Sequence, residues 1–292
     1  MKNIENEIKI VLNLFNASKF NLVISKSKKL IRKFPEYLVL YNVLGSAYQN
    51  TGNFYLAKNI FIKGHKMDPT NIAIMNNLAN VYKNIGEIEL SENLFKKIIS
   101  IKPDYINAYI NLGNLKRDNN DFKMAIDLYK KGLAINDKIA VILYSLALAY
   151  QGLGEFKLAI YYAEKALLID PKLTQADMLI SQSIRYEVDD KHFVKMDLKF
   201  KNLKLNNEQK VNLLFALAKA SEDMNQIKKS FEYLDQGNLM KRKSLNYNIN
   251  NEIKFFNEIK EAFTKIDLSK ISKKQKIEKN IIFILGMPRS GT

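Results

Sequence analysis

The sequence predicts an all-α fold, a right-handed α-solenoid of helix–turn–helix units, followed at its C-terminus by the first strand and loop of an α/β domain. Three observations carry this expectation. Pro35, Pro69 and Pro103 fall 34 residues apart, and Pro171 lies two periods beyond Pro103, with Asp137 in the skipped slot. A fixed period of this length marks a paired-helix unit that buries its apolar face by stacking on its neighbours. Small residues recur at fixed points within the period. Finally, the short apolar run Asn280 to Leu285 has the look of a buried strand and enters the glycine-bounded turn Gly286-Met-Pro-Arg-Ser-Gly291-Thr292.

With residue 4 as position 1, units begin at residues 4, 38, 72, 106 and 140. Position 8 reads Val11, Gly45, Ala79, Gly113, Ala147, and position 20 reads Val23, Ala57, Ser91, Ala125, Ala159. Two helices approach closely only where side chains are small, so these are the expected crossing points. Position 7 (Ile10, Leu44, Leu78, Leu112, Leu146) and position 4 (including Tyr41, Met75, Tyr109, Leu143) supply the bulk that fills the space between helices. Position 15 carries Gly52, Gly86, Asn120 and Gly154, which tolerate the left-handed conformation that ends a helix. Each proline follows a second helix, where its missing N–H costs nothing. The aromatic residues Tyr48, Phe61, Tyr82, Phe95, Tyr129 and Tyr150 are expected in packing rather than in ligand contacts.

After Pro171 the period slips. Residues 174–210 stay helical in pattern but fit the unit poorly, and a further unit resumes near Val211 with Ala218, Asn225, Ser230 and Gly237 at positions 8, 15, 20 and 27. Residues 239–278 read as one or two amphipathic helices with a basic face, ending in a polar linker, Ser269 to Lys279. The expected organisation is repeats over 1–173, degenerate repeats and a helical connector over 174–278, and the start of a further domain over 279–292.

At 292 residues and 47% apolar, the chain can bury more than one core. It contains no cysteine, which excludes disulfides and cysteine metal sites and fits a reducing compartment. The N-terminal sequence lacks the compact apolar core of a signal peptide, and no apolar run reaches the roughly 20 residues that span a bilayer. A cytoplasmic protein without membrane contact is expected. The formal charge of +16 would attract polyanions. The lysines, however, are spread along the whole length of a chain also rich in Asn and Ile, so nucleic acid is not the expected partner.

The repeat positions resemble those of the tetratricopeptide repeat over residues 4–173, with Val11, Val23 and Ser27 of the first unit departing as an end cap would. The resemblance implies a concave surface that binds a polypeptide or protein, and it places positions 5, 6 and 9 of each first helix on that surface. In the units starting at 38, 72 and 106 those positions include Asn42, Asn76, Asn77, Asn80, Asn111 and Asn114. A primary amide donates to and accepts from a peptide unit at once, so this ladder could hold an extended polypeptide without reading its sequence. Lys83 and Arg117, at position 12 of successive units, would attract acidic residues.

The terminal turn has the glycine spacing of a nucleotide phosphate loop, but Thr292 stands where that loop requires lysine. The string IIFILGMPRSGT resembles instead the opening strand and phosphosulfate loop of sulfotransferases, particularly the protein-tyrosine type and bacterial enzymes that join it to tetratricopeptide repeats. The segment from Phe215 to Asn248 and the aromatic helix from Phe255 to Phe263 extend that resemblance. It implies transfer of a sulfuryl group from 3′-phosphoadenosine-5′-phosphosulfate to a hydroxyl acceptor, with protein tyrosine the preferred acceptor. Arg289 would pair with the phosphosulfate, Ser290, Gly291 and Thr292 would donate to it, and Pro288 would fix the turn. The general base and the 3′-phosphate site would lie beyond Thr292, so no catalytic residue is assigned and this chain alone is expected to be inactive. The alternative is a non-enzymatic scaffold. His65 and His192 are lone histidines, so no metal site or His-based triad is expected, and Asp189-Asp190 and Glu222-Asp223 read as solvated turns and helix faces.

Overall fold

Each 34-residue period folds as two helices joined by a tight turn. The computed structural model describes residues 2–245 and 248–265. The hairpins are α1 (Lys2–Asn16) with α2 (Phe20–Lys33), α3 (Leu38–Asn50) with α4 (Phe54–Met67), α5 (Ile72–Asn84) with α6 (Ile88–Ile101), α7 (Ile106–Asp118) with α8 (Phe122–Ile135), and α9 (Ala140–Gly152) with α10 (Phe156–Ile169). Among the described residues every regular element is an α-helix. The expected strand Asn280–Leu285 and the loop that follows lie outside those residues.

The turns explain why the period is strict. Gly52, Gly86 and Gly154 have φ of 76°, 81° and 77°, and Asn120 and Ser18 take the same conformation at 62° and 56°. This left-handed residue lets the next N–H reach back over the end of the first helix. Asn53 donates to Tyr48 O, Glu87 to Tyr82 O, Asp121 to Lys116 O and Glu155 to Tyr150 O, all at 2.9 Å. The small residues meet large ones across the hairpin. A Cβ placed on Gly45 would fall 2.5 Å from the Phe61 ring, and one on Gly113 would fall 2.5 Å from the Tyr129 ring. Phe61, Phe95 and Tyr129 are fully buried, as are Ala57, Ala125 and Ala159 at the other crossing points.

One expectation about the first unit needs correction. Ile10 does not fill space between helices but is 43% exposed. Leu22 of α2 is exposed as well.

The slip after Pro171 has a structural cause. Helix α11 (Thr174–Ser183) ends early, and its chain leaves as an irregular segment before α12 (Lys191–Asn202). Helix α11 therefore packs mainly on α10 and on α13 (Asn207–Asp223) rather than on the helix that follows it, which it meets through Asp177. The unit expected near Val211 is α13 with α14 (Ile227–Ser244), and Asn225 turns between them at φ 59°. Ala218 and Ser230 are buried, and a Cβ on Gly237 would come within 3.2 Å of the Phe215 ring.

By contacts the chain divides into two compact units, residues 1–241 and 242–292. The second contains α15 (Ile249–Thr264), whose Phe255, Phe256 and Phe263 are exposed. No described helix is long and apolar enough to cross a membrane.

Candidate functional site

The asparagines form a hydrogen-bonded array across the units. Asn42 lies on α3, Asn76, Asn77 and Asn80 on α5, and Asn111 and Asn114 on α7, all half-buried. Residues 34 apart do not bond to each other. Instead Asn77 Nδ2 donates to Asn42 Oδ1 at 2.8 Å, and Asn111 Nδ2 donates to Asn76 Oδ1 at 2.8 Å. Position 5 of one unit thus pairs with position 6 of the next. Asn77 Nδ2 also approaches Ser46 Oγ at 3.5 Å, and Tyr129 donates its hydroxyl to Asn114 Oδ1 at 2.7 Å. Burial pushes the Tyr129 phenol up to about 12, so it stays a donor throughout the ordinary pH range.

These bonds use one polar atom of each amide and leave the other. Asn42 and Asn76 keep Nδ2 as donors, and Asn77 and Asn111 keep Oδ1 as acceptors, none with another partner among the described residues. The array ends at α9, where positions 5, 6 and 9 become Tyr144, Ser145 and Leu148. Burial raises the Tyr144 phenol against the opposing charge of Arg117.

Lys83 and Arg117 converge on one carboxylate that sequence reasoning missed. Lys83 Nζ lies 2.6 Å from Asp118 Oδ2, and Arg117 Nη2 lies 3.0 Å from Asp118 Oδ1. Burial raises the Asp118 carboxyl, but the bonds from Lys83 and Arg117 outweigh it and hold the group below the usual carboxylate range. Two cations share one anion, so the cluster keeps one net positive charge at the edge of the amide array.

A second polar cluster occupies the break in the period and gives His192, Asp190 and Asp223 partners that the sequence did not reveal, while Asp189 and Glu222 stay exposed. Asp177, 1% exposed, receives Lys199 Nζ on both oxygens at 2.8 and 2.6 Å, with His192 Nε2 3.3 Å away. His192 Nδ1 lies 2.6 Å from the Tyr186 hydroxyl, and a ring protonated on Nε2 satisfies both contacts. Asp190 caps α12 by accepting from His192 N and Phe193 N, and Asp223 accepts from Tyr186 N and from Lys219. Lys219 also donates to Ile184 O. Burial, with the charges of Asp190, Asp177 and Asp223 adding, pushes the Tyr186 phenol far above its usual range. These groups satisfy one another, and their effect is to pin the 184–190 segment to α11, α12 and α13. His65 stands apart, with Nδ1 buried and unpartnered and its pKa lowered by burial and then by Lys97. Among the described residues no three His, Cys, Asp or Glu side chains gather as a metal site would require. Pro288, Arg289, Ser290, Gly291 and Thr292 lie outside the described residues.

Stacked hairpins of this kind define an α-solenoid. The tetratricopeptide repeat family matches at residues 38–71, 72–105, 106–139 and 140–173, so that stretch is built of tetratricopeptide repeats. Solved structures agree in fold. A tetratricopeptide repeat protein from Parabacteroides merdae aligns with a TM-score of 0.61 at 16% identity, covering 85% of this chain and 95% of that one. The C-terminal part of a repeat-containing protein from Cytophaga hutchinsonii aligns at 0.57 with 15% identity, over 78% of this chain and 99% of that one. A thermophilic tetratricopeptide repeat protein from Thermus thermophilus aligns at 0.53 with 16% identity, over 61% of this chain and 97% of that one. No curated protein matches the chain in sequence.

Proposed function

We propose that the chain is a polypeptide-binding module that holds an extended segment of a partner protein along its asparagine array. The carrying observation is the order of the unspent amide atoms. Donors on Asn42 and Asn76 stand beside acceptors on Asn77 and Asn111, already oriented by the bonds between units. An extended peptide presents N–H and C=O groups in alternation, and this row answers them without reference to side chains. Asn80 adds an amide, and the net positive charge of Lys83, Arg117 and Asp118 favours acidic segments. A fluorescent peptide of alternating Glu and Tyr, titrated with the chain, tests this reading. Each lost bond is worth about 1 kcal/mol, so replacing Asn76, Asn80 and Asn111 together by Ala should weaken binding at least about tenfold. Unchanged affinity would refute it.

A second reading rests on the string Ile281 to Thr292. The bound polypeptide would be the acceptor of a sulfuryl group from 3′-phosphoadenosine-5′-phosphosulfate, with Pro288, Arg289, Ser290, Gly291 and Thr292 cradling the donor and the repeats acting in a cytoplasmic enzyme as its substrate handle. The test is binding of labelled 3′-phosphoadenosine-5′-phosphosulfate by the chain, with Arg289→Ala as the comparison. No saturable binding, or binding indifferent to Arg289→Ala, would leave the scaffold reading alone.

A further inference from the structure

The first unit exposes a surface that every later regular unit covers. Position 7 is buried at Leu44, Leu78, Leu112 and Leu146, whereas Ile10 is 43% exposed. The fold itself shows what covers such a position. Ile24 and Ile31 of α2, seven residues apart and so on one helix face, pack against the cluster that holds Leu44 and Tyr48. Lys28 Nζ lies 5.3 Å over the Tyr48 ring. The equivalent positions in the first unit, Ile10 and Leu14, have no such helix against them among the described residues.

The same unit carries a groove of 500 Å³ between α1 and α2, lined by Leu14, Leu22, Leu30 and Phe34, with Ile10 outside its lining one turn from Leu14. A capping face of a solenoid is polar, whereas the described face of this unit is lined by leucine and phenylalanine. Its rim is basic. Lys26 and Lys33 stand where the second unit has Ile60 and Met67, and α2 contains no carboxylate. Lys26 is held by Glu7 at 2.7 Å, while Lys29 and Lys33 have no ion-pair partner among the described residues. Leu14 also replaces the Tyr48 ring, so a covering helix has nothing here to receive a cation.

We infer that this end face is a docking site for an acidic amphipathic helix of another protein. That helix takes the place that α2 takes on the second unit. Its apolar residues, seven apart, cover Ile10 and Leu14, and its carboxylates meet Lys29 and Lys33. Two copies of the chain joined through this face would oppose the same lysines, which charge disfavours.

The α2 sequence supplies the probe. A labelled, helix-stapled peptide of residues 20–33 with Lys26, Lys28, Lys29, Arg32 and Lys33 replaced by Glu keeps Ile24 and Ile31, and the unaltered sequence is its control. Titrated with the full chain at low salt, the glutamate peptide should bind at least about tenfold more tightly than the lysine peptide. Ile10→Asp should weaken it by a similar factor, Lys29→Glu with Lys33→Glu should reverse the preference, and Lys157→Ala on α10 should change nothing. All four residues are solvent-facing or half-buried, and circular dichroism of each variant confirms that its helices are retained. Equal affinity for the two peptides, or indifference to Ile10→Asp, overturns the inference. So does a concentration-dependent dimer that Ile10→Asp abolishes, since that assigns the face to a second copy.

Discussion

The crossing of α7 and α8 turns on Gly113 and Tyr129. A Cβ at Gly113 would press on the Tyr129 ring at 2.5 Å, and that ring is fully buried with no room to withdraw. Gly113→Val should therefore cost at least about 1–3 kcal/mol of stability through overpacking, read as a lower midpoint in urea. Tyr129→Phe keeps the ring and removes only the bond to Asn114, so its cost should be about 1 kcal/mol. Asp118 sets a pH signature. Its folded pKa is depressed, so the stability it contributes is present above the ordinary carboxylate pKa of about 4 and is lost as pH falls through the lower folded value. Asp118→Asn should flatten that part of the acid limb in pH-dependent unfolding. It should also strengthen binding of acidic peptides, because Lys83 and Arg117 are released.

At the level of the helices, the turns and the break in the period behave differently. Asn120 and Ser18 hold left-handed conformations that Gly52, Gly86 and Gly154 adopt without penalty. Asn120→Gly should be close to neutral in thermal unfolding, while Gly86→Val should be strongly destabilising. The turn positions were legible in the sequence because a steric rule fixes them: only a few residue types accept positive φ. The same holds for Gly45, Gly113 and the alanines, where space admits little else. The Asp177 cluster was not legible. Asp177, Tyr186, His192, Lys199, Lys219 and Asp223 come together from three helices and a loop, with no spacing that announces it, and what signal existed lay in the interruption of the period itself. Removing the buried carboxylate leaves Lys199 unpaired, so Asp177→Ala should cost about 3–5 kcal/mol. Hydrogen exchange should show protection lost first over residues 184–203, and uniform loss over the whole chain would contradict that local role.

Across the whole molecule, the repeat makes a row of equivalent positions, and the function argued for it depends on how that row is wired. The 34-residue spacing singles out the six asparagines but does not say which of them bond to which. The structure offsets them by one residue, Asn42 to Asn77 and Asn76 to Asn111, because adjacent first helices present successive positions to each other. Half of the polar capacity therefore joins the units, and half faces outward. Lys83 and Arg117 were visible as charges, while Asp118 between them was not, since charge pairing depends on the rotation of each helix rather than on the period. The pairing also predicts a mechanical role. Asn77→Ala should lower stability by about 1 kcal/mol even without a ligand, measured by urea denaturation.

The central claim, that outward amide atoms grip an extended polypeptide, is tested most directly by the side-chain amide resonances of a ¹⁵N-labelled chain during titration with the Glu–Tyr peptide. The Nδ2 signals of Asn42, Asn76, Asn77, Asn80, Asn111 and Asn114 should shift together and saturate at one affinity, while those of Asn59 and Asn93 on the second helices stay still. Saturable binding that leaves the six signals unmoved would contradict the account.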